Sequence, residues 1–294
     1  MTTELNPIVS VVVATRNRAA LLQENIASLL QQDYPSLELV YVNDGSKDET
    51  ADVLNKLRDA HPDRVVVLHF DGIGPGPARN AGVRASEGSI ILFIDDDATA
   101  GPTWVSDMLA CRLRHNCEVM GGGVHAKSMD TPIEAYLHYR QQIPLGNTAG
   151  TVRAVPSVNM LITRTAFDAV NGFREDYLPL GEDWELCYRL RAKGYAIHYD
   201  PSPFVVHRYR NESDRARRLM RIHGATGIYI STHYRSMLAY VVYSVVRSLL
   251  SPIWVLRHYP KGLRLLAIRM EWEFLRGRLF GYRAYLRGRK DFPQ

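Results

Sequence analysis

Cysteine is scarce. Three occur in 294 residues, Cys111, Cys117 and Cys187, and none has CxxC spacing. That excludes a disulfide scaffold and a cysteine-built zinc site, and it fits a reducing compartment. No leader is expected either: MTTELNPIVSVVVAT has no basic segment ahead of its apolar run. The run is too short for a signal-peptide core and reads as a strand, so a cytoplasmic location is expected. Two phosphate-binding signatures are absent as well. No GxGxxG follows the first strand and no GxxxxGK[ST] occurs, which argues against a Rossmann dinucleotide site and a P-loop. There is no internal repeat or low-complexity tract.

The chain does have ample apolar material. Its hydrophobic fraction is 46%, enough for one large domain or two smaller ones. The net charge of +5 is unevenly placed: His207–Gln294 carries 18 Lys+Arg against 5 Asp+Glu, and the remainder carries 18 against 26. Such asymmetry suggests two jobs, with a catalytic domain over 1–210 and a basic helical region over 211–294.

Strand and helix patterns alternate. Ile8–Thr15 is a continuous β-branched run, the mark of a strand buried on both faces. A helix is predicted over Ala19–Gln32, a strand over Leu37–Val42, and a helix over Lys47–His61 opened by a Ser46/Glu49 capping box. Arg64–Phe70 reads as a third strand. The glycine-rich Gly72–Gly76 leads to a helix with Pro77 at its first position. Ser89–Ile94 is a fourth strand and Thr103–Asn116 a helix. Later, Val119–Val124 and Ser157–Thr163 read as strands, Glu182–Lys193 as a helix, and Ala196–Arg208 as an extended stretch broken by Pro201 and Pro203. From Asn211 the chain turns helical and basic. The alternation implies a doubly wound, mostly parallel α/β sheet, whose ligands bind beyond the carboxyl ends of the strands. Thr15, Arg16, Asp44 and Asp95–Asp97 all fall at those ends.

Three carboxylates, Asp95, Asp96 and Asp97, end the apolar run ILFI. Asp95-x-Asp97 suits a hard divalent cation, or it is an acidic turn. Asp44 in Asn-Asp-Gly can accept from a base N–H or a ribose hydroxyl, or it makes a turn. Arg79 and Asn80, at a helix start, can face a base or diphosphate, or lie in solvent. Glu182 and Asp183 begin a helix. The helix dipole favours acids there, and a carboxylate kept ionised in that place can act as a general base. Trp184 can stack on a sugar or belong to the core. His207 ends an extended run and can supply a nitrogen ligand, or it is structural.

"VSVVVATRNR", "LELVYVNDGSKDET", "GPGPARNAG", "ILFIDDDA", "SVNMLITRTAFDAVNGF" and "GEDWELCYRLRAKGY…VVHR" occur in that order. Together they resemble the family 2 glycosyltransferases of the GT-A fold, over Ile8–Arg208. The resemblance implies an inverting transfer from a nucleotide-sugar donor, UDP-linked by family habit, to an acceptor hydroxyl. It implies that Asp44 holds the nucleoside and that Asp95 and Asp96 belong to the donor site with Thr15, Arg16, Arg79 and Asn80. Asp97 and His207 would bind Mg²⁺ or Mn²⁺, and Asp183 would be the base. Asn159, Met160, Glu182 and Trp184 would line the sugar and acceptor pocket. The QxxRW motif of processive synthases is absent, with RRLMRIHG in its place, so transfer of one or a few sugars is expected. A glycan or lipid-linked acceptor of polysaccharide, glycolipid or cell-envelope synthesis is implied. The alternatives are a sugar-phosphate nucleotidyltransferase and a non-catalytic nucleotide-sugar binder.

Met237–Leu256, MLAYVVYSVVRSLLSPIWVL, has the length of a membrane span, but its central Arg247 costs roughly 3 kcal/mol on insertion. The following stretch interleaves apolar residues with Lys261, Arg264, Arg269, Arg276, Arg278, Arg283, Arg287 and Arg289. Helices lying on an anionic membrane surface are expected, placing the protein peripherally at the inner face of the cell membrane. An oligomer interface is the alternative, and no nucleic acid partner is expected, because no recognition motif accompanies the basic residues.

Overall fold

The computed structural model describes residues 6–142, 145–175, 180–209, 211–234, 246 and 250–287, with the backbone alone at 228–234 and 285. Most of the span reading over Met237–Leu256, Arg247 included, lies outside the described residues, as does Arg289.

Val9–Thr15 forms β1, almost wholly buried, as its β-branched run requires. It pairs in parallel with Leu37–Asp44 (β2) on one side and Ile90–Ile94 (β4) on the other, and β2 pairs in parallel with Val65–Phe70 (β3). Beyond β4 the sheet turns antiparallel. Asn159–Thr163 (β8) runs against β4 and Val119–Ala126 (β6) against β8. The last strand, Ile197–His207 (β9), carries Ala98–Ala100 (β5) and Gly150–Val152 (β7). The order is β3-β2-β1-β4-β8-β6-β9-β5, with β7 also on β9. This mixed α/β architecture, with a parallel half joined to an antiparallel half, is the doubly wound GT-A type expected.

The helices are Ala19–Leu30 (α1), Thr50–Ala60 (α2), Pro75–Ala85 (α3), Trp104–His115 (α4), Pro132–Gln142 (α5), Arg164–Asp168 (α6), Glu182–Ala192 (α7) and Ser213–Tyr234 (α8), and then a C-terminal helix over Arg264–Leu286. Three local expectations are corrected. Pro75, not Pro77, is the first proline of α3. No Ser46/Glu49 capping box forms: α2 starts at Thr50, whose amide donates to Asp48 Oδ1 (3.1 Å), while Ser46 Oγ accepts from the Asn17 amide (2.9 Å). Pro201 and Pro203 do not break the extended stretch. They lie between the β9 residues paired to β7 (197–199) and those paired to β5 (205–207), where their missing N–H groups interrupt neither ladder.

The chain divides into two compact units. One comprises Met1–His125, Asn147–Tyr177 and Glu182–Arg208; the other comprises Ala126–Gly146, Leu178–Gly181 and Tyr209–Gln294. The second therefore includes α5 as well as the C-terminal helices, where the sequence suggested one boundary at 210. Its core gathers Ile133 and Tyr136 of α5 with Met220, Tyr259, Ala267 and Met270. Among the described residues no helix is long and apolar enough to cross a membrane.

In the first unit α3 lies directly on β1 and β2. A Cβ on Gly82 would stand 2.5 Å from Val12 Cγ1 and 3.1 Å from Val42 Cγ2. Glycine inside a helix normally costs about 0.5–1 kcal/mol relative to alanine, so its presence here reflects the close approach. Gly82→Val is expected to lower stability by about 1–3 kcal/mol through overpacking. A urea midpoint equal to wild type would show that α3 is not seated this tightly.

Candidate active site

Parallel pairing brings the ends of β1, β2 and β4 to one edge of the sheet, and the loops there are sewn together. The Lys47 amide donates to Asn17 Oδ1 (2.7 Å), and the Arg18 amide to Thr50 Oγ1 (2.9 Å). Asn17 has a left-handed backbone (φ 54°), which asparagine tolerates well. Arg16 is exposed, with its guanidinium over Gly72.

Asp44 is buried and holds the glycine-rich loop: its Oδ1 accepts from the Ile73 amide (2.6 Å) and its Oδ2 from the Gly74 amide (3.0 Å). Each oxygen keeps a second lone pair with which a ligand N–H or hydroxyl can bond.

Behind β4 the three carboxylates part company. Asp96 is buried, and desolvation, then the charge of Asp97, pushes its pKa up to about 7 against the opposing pull of the Thr15 hydroxyl and Arg18. Asp97 goes the other way. Burial raises it, but His207 and Arg18 outweigh burial and hold it below the ordinary carboxylate range. His207 Nε2 lies 3.0 Å from Asp97 Oδ1, and Arg18 lies 3.1 Å from Asp97 and 3.6 Å from Asp96. Burial lowers the His207 pKa, yet the carboxylates, Asp97 first, lift it overall.

The β5–β9 pairing causes this meeting. Ala98 is registered with His207, and the Arg208 amide donates to the Asp97 carbonyl (2.9 Å), so residues 110 apart in sequence are side by side. Ligand atoms from Asp95, Asp97 and His207 all lie within 4.8 Å of one another. Two carboxylate oxygens and one imidazole nitrogen at that spacing fit Mg²⁺ or Mn²⁺.

The second cluster is joined to the first by one side chain. Arg79, buried on α3, donates to Glu182 Oε1 (2.7 Å) and to Asp95 Oδ1 (3.0 Å). It is placed to bind carboxylates, where the sequence left open a base or diphosphate. Glu182 is correspondingly occupied. Asp183, one residue on at the start of α7, accepts from the Ser157 amide (3.2 Å) and from its neighbour Trp184 (2.7 Å). Burial first, and the adjacent Glu182 second, push its pKa up to about 7. Burial and Glu182 outweigh the Ser157 and Trp184 amides and the Arg79 charge, which pull the other way. Trp184 beside it is exposed.

Three residues expected in the donor site or the sugar pocket already have partners or full burial within the fold. Asn80 clamps the 173–175 segment: its Nδ2 donates to the Phe173 carbonyl (2.7 Å) and to Glu175 (3.0 Å), and its Oδ1 accepts from the Phe173 amide (2.8 Å). Asn159 is fully buried, accepts from Trp104 Nε1 (3.0 Å), and donates to the carbonyls of Gly123 (2.8 Å) and Pro203 (2.9 Å). Met160 is buried within β8. Motif matching places these residues near a pocket, but their hydrogen bonds or burial are already committed. Arg18 was missed; its signal was a second basic residue in the turn after β1, two positions beyond Arg16.

The family model of glycosyl transferase family 2 matches residues 10–170. The chain is 30% identical over 217 residues to the pre-mycofactocin glycosyltransferase of Mycobacterium tuberculosis, covering 69% of this chain and 43% of that protein. It is 28% identical over 220 residues to the validoxylamine A glucosyltransferase of Streptomyces hygroscopicus subsp. jinggangensis, covering 64% and 52%. The chain thus spans about half or less of the length of these curated relatives. In structure it is similar to the mannosyltransferase PcManGT of Pyrobaculum calidifontis, solved with GDP-Man and Mn²⁺, at TM-score 0.67 and 18% identity, covering 95% of this chain and 88% of that one. It is also similar to a fragment of S. aureus TarS solved with UDP-GlcNAc, at TM-score 0.57 and 19% identity, covering 96% and 92%.

Removing one partner of a buried ion pair leaves a charge with no counterion. Arg79→Met should therefore cost about 3–5 kcal/mol in a denaturant titration. Adding Glu182→Leu to it should recover part of the loss, since the orphaned carboxylate then disappears. An Arg79→Met protein as stable as wild type would show that the bridge contributes nothing.

Proposed function

The chain belongs to glycosyl transferase family 2, and from that premise we propose that it moves one sugar, or a few, from a nucleotide-diphosphate donor to an acceptor hydroxyl with inversion. The observation that carries the reading is Arg79 bridging Asp95 to Glu182. That bond holds the edge bearing Asp44, Asp95 and Asp97 and the helix bearing Asp183 in one site.

Each residue then has work to do. Asp44 accepts from the nucleoside, and Arg16 and Thr15 lie at the end of β1 to flank the donor. Asp95, Asp97 and His207 would hold Mg²⁺ or Mn²⁺, which when bound would supply positive charge to the departing diphosphate. Asp183 takes the proton of the acceptor hydroxyl as its oxygen bonds to the anomeric carbon. The bond from that carbon to the diphosphate oxygen breaks, and the nucleoside diphosphate leaves with the electron pair. Protonated Asp183 returns its proton to water. A base with a pKa near 7 suits a hydroxyl nucleophile better than an ordinary carboxylate, because its conjugate acid is weaker. Trp184, exposed beside the base, offers a stacking face to an acceptor sugar.

UDP is the nucleotide of choice by family habit, and a UDP-sugar is the donor in the TarS fragment's crystal; GDP, as in PcManGT, is the rival. The acceptor is a glycan or lipid-linked species, and the protein works peripherally at the inner face of the membrane through its basic helices.

Two outcomes test the site. Calorimetry with UDP, dTDP and GDP should show one nucleotide bound in the presence of Mn²⁺, with the metal dependence lost in an Asp97→Ala protein that still unfolds cooperatively. Binding that stays fully Mn²⁺-dependent in that variant, with unchanged affinity, would remove Asp97 from the ligand set. The deprotonated form of Asp183 is the active one, and its pKa is raised to about 7. Turnover should therefore fall about tenfold per pH unit below 7 and level off above it. Asp183→Asn should lose on the order of 10²–10⁴ in kcat. Nucleotide binding without any turnover by wild type would favour the non-catalytic alternative.

A further inference from the structure

Among the described residues the C-terminal helix is held by one face, and we propose that its other face docks on an anionic lipid bilayer. This deepens the peripheral placement given above and rests on it. The held face is fixed by glycines. A Cβ on Gly277 would collide with the Arg221 carbonyl of α8, and one on Gly224 would collide with the Phe274 carbonyl. Ala267 and Met270 complete the contact with the core of the second unit. Backbones this close leave the helix no freedom to roll, so the opposite face is turned outward.

That outward face has a regular composition. Leu265, Trp272, Leu279 and Leu286 recur every seventh residue, which returns to nearly the same side of a helix, and each is more than half exposed. Arg269, Arg276 and Arg283 are exposed between them, and Phe280 and Arg287 flank the row. The helix's two acids lie elsewhere: Glu271 is buried and pairs with Arg140, and Glu273 is mostly buried. Arg276 pairs with Glu273. Not every basic residue of the expected membrane set belongs to this face, since Arg278 is buried over the Phe274 ring.

The pattern selects its partner. A second copy laid on this face would bring one arginine row against another with no exposed carboxylate between them. Burying guanidinium groups in a protein interface without counterions is costly. An anionic bilayer meets both requirements. Its phosphates accept from guanidinium forks, the long arginine stems reach up past the apolar rows, and tryptophan and leucine enter the interfacial layer. At 1.5 Å per residue the helix would lie along about 34 Å of surface.

The experiment is co-sedimentation of the full chain with vesicles of phosphatidylglycerol or of phosphatidylcholine, with nucleotide binding as the check that the catalytic unit is folded. Wild type should bind the anionic vesicles and leave the zwitterionic ones. Each arginine near such a surface is worth roughly a fivefold change in partition, so Arg269→Gln/Arg283→Gln/Arg287→Gln should bind on the order of 100-fold more weakly. Trp272→Ser/Leu279→Ser should also lose binding, and both variants should keep nucleotide affinity. Equal binding by wild type and both variants would overturn the assignment of this face and leave the peripheral reading standing. No binding of wild type to anionic vesicles would overturn both, while nucleotide binding would still report on the transferase site. A wild type that self-associates in solution, with monomeric variants and no vesicle binding, would make the face an interface between copies.

Discussion

One guanidinium sets the geometry of the catalytic unit. Arg79 is buried, and burial disfavours its charge, yet Glu182 and Asp95 together hold it firmly protonated. Glu182 would be a mostly buried charge without this cation. Asp95 stands at the end of a parallel strand and Glu182 at the start of a helix roughly ninety residues later, so the bond fixes the spacing between that strand end and the helix of Asp183. A buried ion pair is weak evidence of net stability, because desolvation offsets most of the attraction. Its value here is positional. The same neighbourhood that fixes Asp183 in place also dries it, so precise placement and a raised proton affinity arise together.

Much of this was legible in the sequence. The β-branched run of Val9–Thr15 and the apolar IILFI of β4 announce buried parallel strands by composition alone, and the acidic residues that follow them mark the edge where ligands bind. Side-chain partners chosen across the fold were not legible. Asn80 and Asn159 look like ligand-binding residues because polar side chains in a glycine-rich or apolar context suggest a ligand, yet both bond backbone and side-chain groups brought in by distant segments. Arg18 escaped notice because nothing local shows that Asp96 and Asp97 sit beside it. The ionisation of Asp183 was misjudged for a related reason: the helix start is visible in sequence, while the burial that raises its pKa is a tertiary property.

The two units are built on different principles. The first is a sheet covered by helices, with polar residues gathered at strand ends. The second is a set of helices packed closely enough that glycine is required on both partners, at Gly224 and Gly277. Its arginines divide by environment. Arg140 and Arg278 stack on Phe274 inside the unit, whereas Arg269 and Arg283 stand in solvent. A bulk count of basic residues merges these two groups, and only the structure separates an internal cation with an aromatic partner from one that faces outward.

The pairing of β5 with β9 has a consequence for biosynthesis. Strand β5 is three residues long and leaves a translating ribosome soon after β4, but its partner His207 follows more than a hundred residues later. Until then the acidic cluster of Asp95–Asp97 has Arg18 and Arg79 to neutralise it, but not His207. The residues that the family model matches, 10–170, end before both Asp183 and His207. A nascent chain therefore lays down its strand-end carboxylates early and acquires the Asp183 carboxylate and the imidazole last. The cluster is complete only when nearly the whole of the first unit has emerged.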